Sequence, residues 1–242
     1  MSYLEKEVFW LNESPSNQEE QPTEEKKNNI ESFGSTAIKS KAGDLYCLSI
    51  IGQIEGHSVL PPQNKTTKYE HLIPLIVSVE EDPEIQGMLI ILNTVGGDVE
   101  AGLAIAELIS GMRKPTVSLV LGGGHSIGVP LAVSANYSFI APSASMTLHP
   151  IRMNGTIINA VQTFDYLAKM QERVEHFIVS HCGMDKAELD RLMMNTNQLA
   201  NDVGTVIYGP DAVRYHLIDE IGSLSNALAK LYALIHEQKN EA

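Results

Sequence analysis

Basic side chains are scarce in this chain: 17 Lys and Arg stand against 30 Asp and Glu, a formal net charge of −13 over 242 residues. Nucleic acid and anionic membranes are both bound by basic patches, so neither is expected as a partner. Long apolar runs are also missing. No charge-free apolar run approaches the roughly 20 residues that a bilayer-spanning helix needs, so membrane insertion is not expected. The start Met1-Ser2-Tyr3-Leu4-Glu5-Lys6-Glu7 lacks the basic opening and apolar centre of a signal peptide, and the expected location is the cytoplasm. Cysteine is limited to Cys47 and Cys182, too few and too far apart for a paired-Cys metal motif. They read as free thiols of a reducing compartment; no metal and no cofactor are expected.

What is present divides the chain unevenly. Residues 1–40 read as a disordered acidic arm, because Asn17 to Asn29 holds no apolar side chain besides Pro22 and cannot bury enough surface to offset ordering entropy. Its one apolar patch, Val8-Phe9-Trp10-Leu11, carries the single tryptophan. Residues 41–242 read as one domain in which strands alternate with helices. Apolar runs predict strands at Leu45–Ile54, Met88–Asn93 and Thr116–Leu121. Helical spacing predicts helices over Tyr69–Glu81 and Val99–Met112 between them, hence a parallel sheet with helical crossovers. Two short strands follow, Tyr137–Ala141 and Ser145–Leu148, and then a long helix from about Ile157 to His181. Asp185 is a suitable N-cap for a helix Lys186–Met194, and a short helix from Gly209 and a C-terminal helix ending near His236 complete the domain.

The turn Leu121-Gly122-Gly123-Gly124-His125-Ser126-Ile127-Gly128 places a serine among glycines where a strand becomes a helix. Nucleophilic serines sit at such turns, since glycine permits a sharp bend and the helix start directs free N–H groups at a developing oxyanion; packing turns and phosphate cradles share the pattern. A serine hydroxyl needs a base. Among eight histidines, His125 diverges from its neighbour, His176, His181 and His236 belong to helices, and His149 ends a strand at the sheet edge expected to carry Ser126. A second glycine turn, Asn93-Thr94-Val95-Gly96-Gly97-Asp98, is suited to aim another N–H at the same point; as a plain strand-to-helix turn it would have Asp98 for an N-cap.

Taken in order, Asn93-Thr94-Val95-Gly96-Gly97-Asp98-Val99 with Ala101-Gly102, Gly124-His125-Ser126-Ile127-Gly128, Leu148-His149-Pro150, and Gly209-Pro210-Asp211-Ala212-Val213 running into Leu217-Ile218-Asp219 resemble the ClpP family of serine peptidases. Within that family the string is most similar to the group of translocation-enhancing proteins. The resemblance implies a ClpP/crotonase-like spiral of βαβ units with a long helix after the catalytic histidine. It also implies Ser126 as nucleophile, His149 as base, the backbone N–H groups of Gly97 and Ile127 as oxyanion hole, and assembly into a homo-oligomeric ring. Peptides or unfolded proteins would be the substrates, and an ATPase unfoldase is an open partner. Three positions depart from the family: Val95 replaces a proline, Pro150 directly follows the base where a glutamine is usual, and the segment Met194–Gly204 is lengthened. Counting forward from the helix puts the family's aspartate near Thr196, and counting back from Gly209 puts it near Gly204. Asp202 is the acid in that gap and the candidate third triad member, with Asn195, Asn201 or no group at all as alternatives.

Three functions fit. One is a cytosolic serine endopeptidase, ATP-independent or unfoldase-assisted, linked to pre-secretory proteins. Another is a ClpP-like scaffold that binds clients without hydrolysis. The third is an α/β-hydrolase-type esterase built on Ser126, Asp202 and His216.

Overall fold

Strands that are apolar at nearly every position need cover on both faces, and the fold supplies it. The computed structural model describes residues 34–40, 43–153, 155, 158–197 and 203–241. Its central strands are β2 (Asp44–Glu55), β4 (Ile85–Gly97), β5 (Thr116–Gly124), β6 (Tyr137–Ile140) and β9 (Glu220–Ile221), side by side and parallel in that order. Odd and even positions serve different layers. Leu48, Ile50, Met88, Ile90 and Leu92 enter the larger core, beneath α1 (Tyr69–Glu81), α2 (Val99–Ser110) and α3 (Gly128–Val133). Leu45, Leu89, Val117, Leu119 and Phe139 point the other way, onto Ala227, Leu231 and Ile235 of α7 (Leu224–Glu241). The mixed α/β alternation expected from the sequence is therefore present. The remaining helices are α4 (Ala160–Ser180), α5 (Lys186–Met193) and α6 (Gly209–Arg214).

Besides the two-residue β9, three strands lie where no strand was expected. β1 (Thr36–Ile38) falls inside the stretch assigned to the arm and pairs antiparallel with β2; residues 1–33 lie outside the described residues. β3 (Thr66–Lys68) directly precedes the first expected helix and pairs parallel with β2, with Thr67 Oγ1 taking the Ile51 N–H at 3.0 Å. β8 (Thr205–Tyr208) pairs antiparallel with β7 (Ser145–Leu148). Edge strands of three or four residues need only a neighbour's free N–H and C=O groups, so they leave little periodicity in the sequence. The C-terminal helix continues to Glu241, past the expected end near His236, because Glu237-Gln238-Lys239-Asn240 offers no stop signal.

Asp219 shows what a motif residue can do away from any site. Its Oδ2 accepts from the Ser138 N–H at 2.8 Å and the Ser138 hydroxyl at 2.7 Å, tying β9 to β6. Both cysteines are free and half-buried, and burial pushes both thiols up from their ordinary pKa. No helix among the described residues is long and apolar enough to cross a membrane.

Candidate active site

β4, β5 and β7 end on one side of the sheet, and their C-terminal turns meet there. Ser126 adopts a left-handed conformation (φ 59°), one of two non-glycine residues with positive φ among those described. A non-glycine residue in that region costs about 1–3 kcal/mol and persists only where its surroundings hold it. Here they do. The Ser126 N–H donates to the Thr147 carbonyl of β7 at 2.9 Å, and the His125 N–H donates to the Thr94 carbonyl of β4 at 3.1 Å. The Gly128 N–H and Val129 N–H close the turn on the His125 and Ser126 carbonyls at 2.9 and 3.0 Å.

The glycine turn of β4 lies directly against the serine. Gly96 has φ 90°, and a Cβ placed on it would lie 2.6 Å from Ser126 Cβ and 3.2 Å from Ser126 Oγ. A side chain there is excluded both by φ and by space. Thr94 holds the turn, its Oγ1 accepting from the Gly96 N–H at 3.0 Å and donating to the Gly52 carbonyl at 2.6 Å. Asp98 caps α2 as expected, its Oδ1 accepting from the Ala101 N–H at 2.9 Å.

His149 follows β7 immediately. Its Nδ1 lies 2.7 Å from the Pro150 carbonyl oxygen. A carbonyl has no proton to give, so Nδ1 carries the hydrogen, and in the neutral ring Nε2 is left with its lone pair. Ser126, Ile127, Gly97 and His149 line one cavity of about 130 Å³, whose apolar wall includes Val129, Val174, Ile178 and Met193. Among the described residues no hydrogen bond joins Ser126 Oγ to His149. The Ser126 N–H is already committed to Thr147, whereas the Ile127 N–H makes no turn or capping bond among the described residues.

The other candidates separate. His125 is not among the cavity's lining residues; its Nδ1 lies 2.8 Å from Thr147 Oγ1, and burial lowers its pKa below the ordinary histidine value. His216 packs beside Gly183 and is not among the cavity's lining residues. His181 stacks on Phe177, and its Nδ1 donates to the Phe177 carbonyl at 2.7 Å. Asp202 and Asn201 lie outside the described residues. Thr196 is exposed. The Asn195 amide is engaged by Thr205 Oγ1 at 3.2 Å. Gly204, the other position reached by counting, rests on the histidine: its φ is 128°, and a Cβ there would lie 2.8 Å from His149 Cβ.

Sequence reasoning passed over Thr147, Gln171 and Glu175. Thr147 had a signal, since strand alternation puts it two residues before His149. The other two sit on α4: Gln171 Oε1 accepts the Ile151 N–H at 2.8 Å, and Gln171 Nε2 donates to Glu175 Oε1 at 2.8 Å. Helical spacing marks such polar positions only as breaks in an apolar stripe. Among the described residues no group of three His, Cys, Asp or Glu converges as a metal site would require.

Comparison with known proteins gives the family. The family model described as Clp protease matches residues 43–225. The translocation-enhancing protein TepA of Halalkalibacterium halodurans is 55% identical over 211 residues, covering 87% of this chain and 82% of that protein. The ATP-dependent Clp protease proteolytic subunit of Streptococcus pyogenes is 26% identical over 119 residues, 46% of this chain and 60% of that protein. The match to the family model runs through both glycine turns, β7 and β8, so the chain belongs to the Clp protease family and is closely related to TepA.

Proposed function

We propose that the chain is a serine peptidase in which Ser126 attacks the scissile carbonyl and His149 Nε2 takes its proton, then returns it to the leaving amine. The N–H groups of Gly97 and Ile127 bind the oxyanion. The observation that carries the reading is the left-handed Ser126 on a turn pinned from both sides, lining the same cavity as an imidazole whose Nδ1 is the donor. Ser126 and His149 share no hydrogen bond here, and catalytic pairs often complete that bond only when substrate is bound. The apolar wall favours peptides with an apolar side chain next to the cut bond. In this reading the domain has the ClpP/crotonase-like spiral, acts in the cytoplasm, and assembles into rings through the exposed part of α4, with pre-secretory proteins among its clients.

Labelling by a fluorophosphonate and hydrolysis of a fluorogenic peptide test the assignment. Ser126→Ala is expected to abolish both, and equal labelling of the variant would end the proposal. His149→Ala is expected to cost several orders of magnitude in kcat, with His216→Ala near wild type; the reverse order would restore the α/β-hydrolase reading. The unbonded Ser126–His149 pair also favours a second reading, a client-binding scaffold. A Ser126→Ala strain that handles its clients at the wild-type level would support it.

A further inference from the structure

The His149 imidazole stands at one end of a hydrogen-bonded chain whose other end is a buried charge. Glu175 projects from α4 and is 7% exposed. One of its oxygens takes the Lys186 ammonium at 3.0 Å, and the other takes Gln171 Nε2 at 2.8 Å. The far end of the Gln171 amide meets the Ile151 N–H at 2.8 Å. The two contacts fix the amide's orientation, because a carboxylate only accepts and a backbone N–H only donates. Ile151 N–H and Pro150 C=O belong to one peptide group, and that carbonyl is the acceptor for His149 Nδ1–H at 2.7 Å. Donors and acceptors therefore alternate without interruption from carboxylate to side-chain amide, from side-chain amide to peptide group, and from peptide group to imidazole.

Each link strengthens the next. A carboxylate drawing on one end of an amide leaves more negative charge on its oxygen; a peptide group whose N–H is held by that oxygen becomes a better acceptor in turn. We propose that Gln171 and Glu175 are positioning residues for His149, and that the buried carboxylate orients the ring and steadies its protonated form through the amide and the Pro150–Ile151 peptide. An acid touching the ring is then not needed. At His149 Nδ1, where a triad acid would accept, the acceptor is the Pro150 carbonyl oxygen. Lys186 neutralises the carboxylate and is itself held by Asp190 at 2.9 Å, which makes the buried charge tolerable.

This inference rests on the serine peptidase reading, and the experiment separates the two. The full chain and its variants Gln171→Met, Glu175→Gln and Asp202→Asn are compared for fluorophosphonate labelling rate, for peptide kcat and KM, and by 15N NMR of histidine-labelled protein. The expected wild-type signature is a neutral His149 carrying its proton on Nδ1. Gln171→Met and Glu175→Gln are expected to lower kcat and the labelling rate about tenfold with KM unchanged, less than the loss when a directly bonded triad acid is replaced, and to shift the Nδ1–H resonance. Should Glu175→Gln fold poorly because Lys186 is left behind, Glu175→Gln/Lys186→Met removes both charges. Rates within twofold of wild type in both relay variants, a wild-type Nε2–H tautomer, or a hundredfold loss confined to Asp202→Asn would overturn the relay. An unlabelled wild type would overturn the peptidase reading instead, and the resonance shift would still decide the hydrogen-bond chain.

Discussion

At the scale of residues, Ser126 and Gly96 are locked together. Each has a positive φ, and their side-chain positions lie too close for Gly96 to carry a Cβ. Gly96→Ala is expected to lower stability by at least about 1 kcal/mol, seen as a lower urea midpoint, and to slow labelling of Ser126 by displacing it. His125 adds a pH effect. Burial holds its folded pKa below the ordinary value of about 6.5, so the unfolded chain binds the proton more readily. The stability it contributes is present above about pH 6.5 and is lost as pH falls through the folded pKa. Urea titrations at pH 7.5 and 5.5 should show a smaller loss on acidification for His125→Asn than for wild type; equal losses would place the effect elsewhere.

At the scale of elements, the expected α1 bounds Tyr69–Glu81 match the structure, and α5 begins after its expected cap. These were legible because periodicity and an N-cap are local properties. Asp185 Oδ2 accepts the Ala187 N–H at 3.2 Å, far in sequence from Ser126 and His149, so Asp185→Ala should cost about 1 kcal/mol in unfolding free energy without altering kcat. β1, β3 and β8 were not legible, because their pairing is defined by the partner strand. α4 falls between these cases: its apolar stripe was visible, but only Met170, Val174, Phe177 and Ile178 are buried against the domain.

The whole molecule explains the other half of that stripe. Val161 and Phe164 are each 71% exposed, and Ile158 just before the helix is 97% exposed. Apolar side chains grouped in this way mark a contact surface. Under the proposed ring assembly this end of α4 is the contact between copies. Phe164→Glu is then expected to shift sedimentation velocity from an assembled species toward a single subunit. An unchanged distribution would remove α4 from the assembly.

The order of motifs along the chain determined the family, the two glycine turns, and the choice of Ser126 and His149 as the pair to examine, because those features depend on residues adjacent in sequence. Tertiary structure alone decided which groups surround the imidazole. Pro150 O, Gly204 and, through the Pro150–Ile151 peptide, Gln171 and Glu175 reach His149 from a strand end, a loop and a helix. A hydrogen bond between parts of the chain so far apart is specified by the packing of whole elements, and no local pattern encodes it.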